Sequence, residues 1–424
     1  MHVGRFRKLI ATSQYPQVLK RLLCDDPKEF HPKKALVLSK VSRYEFEKYR
    51  HRAKSDLELE KLLLKRGSNF QALKKHHDIH KRTESQLIQA LEDQGIETKI
   101  CQRFEYTDSA VKWADIIFSA GGDGTFLMAA SKLNHHRKPL VGINTDPQRS
   151  EGYLCLPKYF SDHVGEAVEK IGIGAFSWFL RKRLRITLIG DRDKISEKAL
   201  ELHSQQLTYP EYRYVELINE TTEPSDHPLV DNPESNGNSD LKLSKRVLPI
   251  LALNEVFVGE SLSSRVSYLE VQLDQDKVFK TRNSGLIIST GTGSTSWTFN
   301  VNKLTHQSVE SLLRIVKEAT GFPLNWQDER LVESVTENFN HDIVFNPEAN
   351  MMTYTLRDPH SVGTFPDATE KKPRGRADRL EVKSRCFDAC LVIDGSLSFK
   401  FNDGMKAVIE IHDEDALRTI QLSP

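Results

Sequence analysis

The pentapeptide Gly121-Gly122-Asp123-Gly124-Thr125 stands between a short apolar run at residues 115–120 (DIIFSA) and a helical stretch at residues 126–133 (FLMAASKL). A strand that passes into a helix through glycines has few folds open to it. Without a Cβ the backbone turns tightly, and its N–H groups can face an anion beside the positive end of a helix. Asp123 adds a carboxylate next to that cradle. The plain alternative is a strand-to-helix turn with Asp as the N-cap, for which one glycine suffices. At average residue usage the five residues recur by chance about once in a million positions, which weighs against an idle occurrence here.

The chain around the loop alternates strand and helix. Residues 35–39 (ALVLS) read as a buried strand, and Leu87, Ile88 and Leu91 share one face of a helix over residues 84–93. Gly95 ends that helix, strand resumes at residues 96–101, a short helix follows at 108–114, and residues 139–144 (PLVGIN) supply a further strand. The order predicts an α/β N-terminal domain: an open, mostly parallel sheet carrying the GGDGT loop, with ligands at the carboxyl ends of its strands. Residues 41–83 are dense in Lys, Arg, Glu and His and read as a solvated insertion with one helix around residues 56–66.

Beyond about residue 175 the texture becomes alternating, which predicts a mostly antiparallel β C-terminal domain. Strands are expected at residues 184–189, 248–259, 268–273, 285–290, 389–394, 397–401 and 407–412, and helices at 307–319 and 329–338. Polar loops are expected near 219–240 and 357–380. The predicted division is a basic N-terminal segment at 1–30, an α/β domain at 31–175 and a β-rich domain at 176–424, with the chain end free to pack back on the first domain.

Composition narrows the function classes. Sixty Lys and Arg against 59 Asp and Glu leave a net charge of +1, which argues against a polyanion coat. No apolar run reaches the roughly 18 to 20 residues of a membrane span. Cys24, Cys101, Cys155, Cys386 and Cys390 are odd in number and scattered, so no disulfide framework is drawn, and Cys386 and Cys390 lack partners for a zinc site. His76, His77, His80, His135 and His136 read as solvated. The first 24 residues hold Arg5, Arg7, Lys8, Lys20 and Arg21 and no acid, which fits either an organelle presequence or an ordinary basic N-terminus.

The second half carries more site-like residues. Asn254-Glu255 interrupts the apolar run LALNEVFVG. Burying an unpaired carboxylate costs several kcal/mol, so Glu255 needs a protein donor or a ligand, a salt-bridged strand end being the simpler case. Residues 285–297 (GLIISTGTGSTSW) combine small residues, hydroxyls and Trp297, suited to a base, ribose or phosphate, or else to a turn that caps the next helix. Asp394-Gly395 reads as a hairpin turn.

In chain order, GGDGT from Gly121, GINTDPQRSEGYL from Gly142, LNEVFVGE from Leu253, SGLIISTGTGSTSW from Ser284 and LVIDG from Leu391 resemble the NAD kinase family, in its mitochondrial form, from about residue 35 to the C-terminus. The resemblance implies ATP-dependent phosphorylation of the 2′-hydroxyl of the adenosine ribose of NAD to give NADP, with Asp123 as the base. It implies Gly121, Gly122, Gly124 and Thr125 at the ATP phosphates. Toward NAD it implies Gly122, Gly124, Asn144, Tyr153, Asn254, Glu255, Ser284, Thr292, Thr295 and Ser296. Mg²⁺ would arrive on the ATP phosphates, with no side-chain ligand assigned.

The resemblance also implies a homodimer, no nucleic-acid or membrane partner, and the mitochondrial matrix as location, with the cytoplasm as the alternative. Ser284 stands where many members have Asp, Gly291 where they have Pro, Ser296 where they have Ala and Trp297 where they have Tyr; a serine brings no charge to the nicotinamide end. No Walker-type lysine follows the glycines, so Lys or Arg from elsewhere must help the backbone and the metal meet phosphate charge. Two other readings of the motifs stand beside this one. One is a GGDGT-type lipid kinase acting on diacylglycerol or a sphingoid base, and the other a non-catalytic NAD(P)-binding regulator.

Overall fold

The computed structural model describes residues 26–53, 55–134, 137–191, 195, 199–202, 243–360 and 372–424. Most of the basic N-terminal segment, His135 and His136, the polar stretch at 219–240 and the middle of the one at 357–380 lie outside these residues.

The strand that feeds the glycine loop, Ile116–Ala120, is buried along its whole length. It therefore has to lie inside a sheet covered on both faces. Its sheet runs in the order Glu97–Cys101, Lys34–Ser39, Ile116–Ala120, Leu140–Ile143, Leu417–Gln421, Ser177–Arg181. The first four strands are parallel, and Leu417–Gln421 pairs in parallel with Leu140–Ile143 and antiparallel with Ser177–Arg181. The sheet thus takes in residues 177–181, past the expected boundary at 175. Leu87 and Leu91 with Val164, Ala167, Val168 and Ile171 cover one face, while Val111, Phe126, Ala129 and Ala130 cover the other.

The charged stretch at 41–83 is not a solvated insertion. It forms the helices Arg43–Arg50 and Asp56–Lys65 and most of Phe70–Asp93, which starts fourteen residues before the expected residue 84. Ser42, Ser55 and Asn69 cap the three N-termini through side-chain oxygens. Tyr44, Ala53, Leu59, Leu63 and Phe70 close a small core of their own. His80 corrects the solvated-histidine reading: it is 0% exposed, between Ser39 and Thr145.

The remaining strands build two antiparallel sheets around one core. One holds Phe279–Asn283, Ser267–Leu273, Arg379–Ser384, Lys406–Ile411, Leu184–Asp191 and Leu243–Val247. The other holds Arg374–Ala377, Met352–Leu356, Leu286–Ser289, Glu255–Glu260, Ala389–Ile393, Leu397–Lys400 and Leu200–Glu201. Leu184, Ile186 and Leu380 from the first pack with Val256, Ile288 and Leu391 from the second. Of the strand expected at 248–259 only Glu255–Glu260 forms, residues 248–254 linking it to Leu243–Val247 of the other sheet, and part of the loop expected at 357–380 is the strand Arg374–Ala377. The helices Trp297–Asn302, His306–Thr320 and Glu329–His341 complete the domain. No helix among the described residues is long and apolar enough to cross a membrane.

Candidate active site

Ile116–Ala120 ends on Gly121, and the helix Asp123–Ala130 begins two residues later with Gly122 as its N-cap and no side-chain cap. Asp123 is therefore not the capping residue of its own helix. Its carboxylate reaches sideways, where Oδ1 accepts the N–H of Leu154 at 2.8 Å and Oδ2 that of Tyr153 at 3.1 Å. Burial pushes this carboxyl above its ordinary value, against the downward pull of those two N–H groups and of Arg181.

The glycines divide the work. A Cβ on Gly121 would stand 2.3 Å from Thr125 Oγ1 and one on Gly122 2.4 Å from Ser150 Oγ, whereas one on Gly124 would meet nothing within 4 Å. The N–H of Gly121 is committed to Ile143 O at 3.0 Å, so that group is not a phosphate donor. The N–H groups of Asp123 and Gly124, in the first turn, have no acceptor within their own helix.

Asn144 works behind the loop instead of in front of it. Its Nδ2 donates to Ser150 O at 2.8 Å, its Oδ1 accepts the N–H of Asp146 at 3.2 Å, and the residue is 3% exposed. It thereby shapes the segment that presents the N–H groups of Tyr153 and Leu154 to Asp123. The side chain of Tyr153 is exposed.

The Asn254-Glu255 pair is bent out of regular strand by a residue far away in sequence. Asp394 accepts the N–H groups of Leu253, Asn254 and Glu255 at 2.9, 2.8 and 3.1 Å and returns its own N–H to Glu255 O at 3.0 Å. More than a hairpin turn, Asp394 is the clamp of this corner, and it adopts a left-handed φ of 47°. Burial lifts its carboxyl to about 6 despite the three donors. Glu255, pushed up first by burial and then by Asp394, reaches about 8. Asn254 Oδ1 and Glu255 Oε2 are buried with no hydrogen-bond partner among the described residues.

The hydroxyl-rich loop closes over this corner. Thr290 donates its N–H to Asn254 O at 3.0 Å and its hydroxyl to Leu253 O at 2.5 Å. A Cβ on Gly293 would lie 2.2 Å from Asn254 O, so only glycine allows the approach. Thr295 Oγ1 donates to Thr292 O at 3.2 Å, and the N–H of Ser296 donates to Gly293 O at 2.9 Å. Ser284 stands apart, between the strands Phe279–Asn283 and Leu286–Ser289, the second of which pairs with Glu255 at its far end, Ser289. Its N–H donates to Arg357 O at 2.8 Å, and the Arg357 guanidinium lies 5.4 Å from the Trp297 ring.

Arg181 joins the two halves, and sequence reasoning missed it. It donates to Thr292 Oγ1 at 3.4 Å while its charge bears on Asp123. The signal was the run RKRLR at 181–185, four cations where the chain passes from one strand, Ser177–Arg181, to the next, Leu184–Asp191, each of which needs an assignment where it is buried. Lys182 pairs with Asp413, Arg183 donates to Asp415 O at 2.6 Å and to Leu133 O, and Arg185 pairs with Asp415 at 2.6 Å.

No family model matches the chain. Curated relatives do. NAD kinase 2, mitochondrial, of Rattus norvegicus is 40% identical over 395 residues, covering 93% of this chain and 88% of the relative. The protein of that name from Homo sapiens is 39% identical over 397 residues, 93% and 85% respectively, and that from Xenopus tropicalis 38% over 420 residues, 95% and 93%. Among solved structures, an NAD kinase from Archaeoglobus fulgidus in complex with ATP aligns at a TM-score of 0.47 and 16% identity over 92% of this chain and 93% of its own. With relatives this similar along nearly its whole length, the chain belongs to the NAD kinase family.

Proposed function

We propose that Asp123 is the general base of an NAD kinase reaction in which the 2′-hydroxyl of the adenosine ribose of NAD attacks the γ-phosphorus of ATP. The hydroxyl proton passes to the carboxylate as the new O–P bond forms and the bond to ADP breaks, giving NADP and ADP. A carboxyl that burial raises above its ordinary value accepts a proton more readily. Each carboxylate oxygen has about two acceptor sites, so the N–H groups of Tyr153 and Leu154 fix the group and leave lone pairs for the hydroxyl.

The observation that carries the reading is the pair of buried, partnerless atoms, Asn254 Oδ1 and Glu255 Oε2. Buried polar atoms are almost always satisfied, and a nucleoside has the donors and acceptors to satisfy these. Glu255, its carboxyl pushed up to about 8, can when protonated both donate to and accept from a ribose. Thr292, Thr295, Ser296 and the ring of Tyr153 would line the same nucleoside. Family membership supports NAD over a lipid acceptor.

Gly122, Gly124 and Thr125 would face the ATP phosphates, which bring Mg²⁺ with them as part of the substrate. The domain division is placed after Arg181, with residues 417–421 returning to the first sheet. A mitochondrial location is proposed from the relatives, whose names are mitochondrial, and a homodimer from the family resemblance alone.

The test is NADP formation from ATP, Mg²⁺ and NAD, by wild type and by Asp123→Asn. The variant should lose at least about 10²-fold in kcat, the low end for a general base. Its amide also points an N–H₂ at a backbone donor, so the variant should be less stable by about 1 to 3 kcal/mol. Unchanged turnover would remove Asp123 from the chemistry.

A further inference from the structure

No lysine follows the glycines of the loop, yet one reaches them from the neighbouring strand. Lys34–Ser39 runs parallel to Ile116–Ala120 with Ser39 opposite Ala120, so Lys40 leaves the sheet at the same edge as Gly121. The N–H of Lys40 donates to Ala120 O at 3.0 Å. Its Cβ lies 3.1 Å from where a Cβ on Gly121 would stand, and its Nζ lies 3.7 Å from Asp146 Oδ2. Asp146 follows Leu140–Ile143, the strand on the other side of Ile116–Ala120. The stem of Lys40 therefore crosses over the first glycine of the loop, from one flanking strand to the other.

The ammonium is held there loosely. A separation of 3.7 Å is an ion pair longer than a hydrogen bond. Asp146 is shared with His76, whose Nδ1 lies 3.1 Å from Oδ1. Arg149, three residues beyond Asp146 and exposed, sends its charge against Lys40 from the rim. The Lys40 side chain is 22% exposed, so its charge is only partly hydrated. A triphosphate arriving at the helix N-terminus would supply acceptors that Asp146 alone does not.

We propose that Lys40 is the cation that meets the phosphates of the nucleotide donor, parked over Gly121 by Asp146 until ATP exchanges with that carboxylate. A compact ammonium suits a phosphate, and phosphoryl transfer depends on positioning and charge neutralisation. The proposal rests on the NAD kinase reading and adds the missing donor-side charge to it.

Lys40→Ala, Lys40→Met and Lys40→Arg test it, with ATP and NAD varied separately, NADP formation measured and thermal melting followed. The two neutral variants should raise KM for ATP by roughly tenfold to hundredfold, leave KM for NAD within about twofold, and be largely rescued by Lys40→Arg. Lys40→Met keeps the stem over Gly121 and decides the matter if Lys40→Ala does not fold. An unchanged KM for ATP in both neutral variants overturns the proposal, and so does an equal rise for both substrates without rescue by arginine. Failure of both neutral variants to fold overturns it too, in favour of a structural role. A wild type that makes no NADP would instead sink the reaction itself, which keeps the two failures apart.

Discussion

At the edge of the parallel sheet both oxygens of Asp123 are engaged by main-chain N–H groups, while in the antiparallel domain Asn254 Oδ1 and Glu255 Oε2 lie buried without a partner among the described residues. Asn144 ties its loop at two points and Gly121 has its N–H satisfied, whereas the Asn254-Glu255 corner is tied by its backbone alone, to Asp394 and Thr290. A group that does chemistry gains from being immobilised before the substrate arrives. A group that recognises gains from waiting unsatisfied, because a ligand lacking the matching atom then leaves it buried and unpaired. Such waiting costs roughly 1 to 3 kcal/mol per atom in the free protein.

The largest break in this contrast should come at Gly293, where a Cβ would sit 2.2 Å from Asn254 O and 2.6 Å from its carbonyl carbon. Gly293→Ala must push the hydroxyl loop off the corner, lowering stability by about 1 to 3 kcal/mol and weakening NAD binding together. Gly124→Ala, which meets open space, is the control and should melt like wild type. Equal melting of the two variants would show that the loop does not need its close approach. Next in size, Asn254→Ala should weaken NAD binding roughly tenfold while leaving the melting point equal or higher, since it removes an unpaired acceptor. Parallel losses of affinity and stability would instead mean that Asn254 Oδ1 is structural.

Glu255→Gln should have the smallest effect at neutral pH, because Glu255 is already protonated there. Its carboxyl is raised from 4.5 to about 8 on folding, so its contribution to stability is whole below about 4.5 and is lost as pH climbs through about 8. Wild type should therefore lose stability and NAD affinity relative to Glu255→Gln as pH goes from 6 to 9, an expectation resting on that raised value. Identical pH profiles for the two proteins would show that Glu255 is ionised throughout.

Much of the first sheet was legible because its strands are short apolar runs between turns, as at residues 35–39 and 139–144. Helix was legible at 56–66 and 84–93, whereas Arg43–Arg50 and the first fourteen residues of Phe70–Asp93 were not, since their apolar residues are sparse among charges. His80 looked solvated because the hydroxyls that bury it, Ser39 and Thr145, come from 41 and 65 residues away. In the same way Asp394 breaks the strand expected at 248–259 through contacts about 140 residues away, which no local period records. The site motifs themselves were readable, whereas the residues that connect them, Arg181 and Asp394, acquire their meaning only in the folded chain.

Leu417–Gln421 occupies an interior place in the first sheet, with Thr419 opposite Leu140 on one side and Phe179 on the other. Until those residues have been synthesised, a growing chain carries a slot bordered by two bare strand edges. Such edges invite pairing between molecules, so this stretch of translation is when chaperone cover matters most. Loss of the segment after residue 412 would reopen the same slot in the finished molecule and leave both edges open to pairing between molecules.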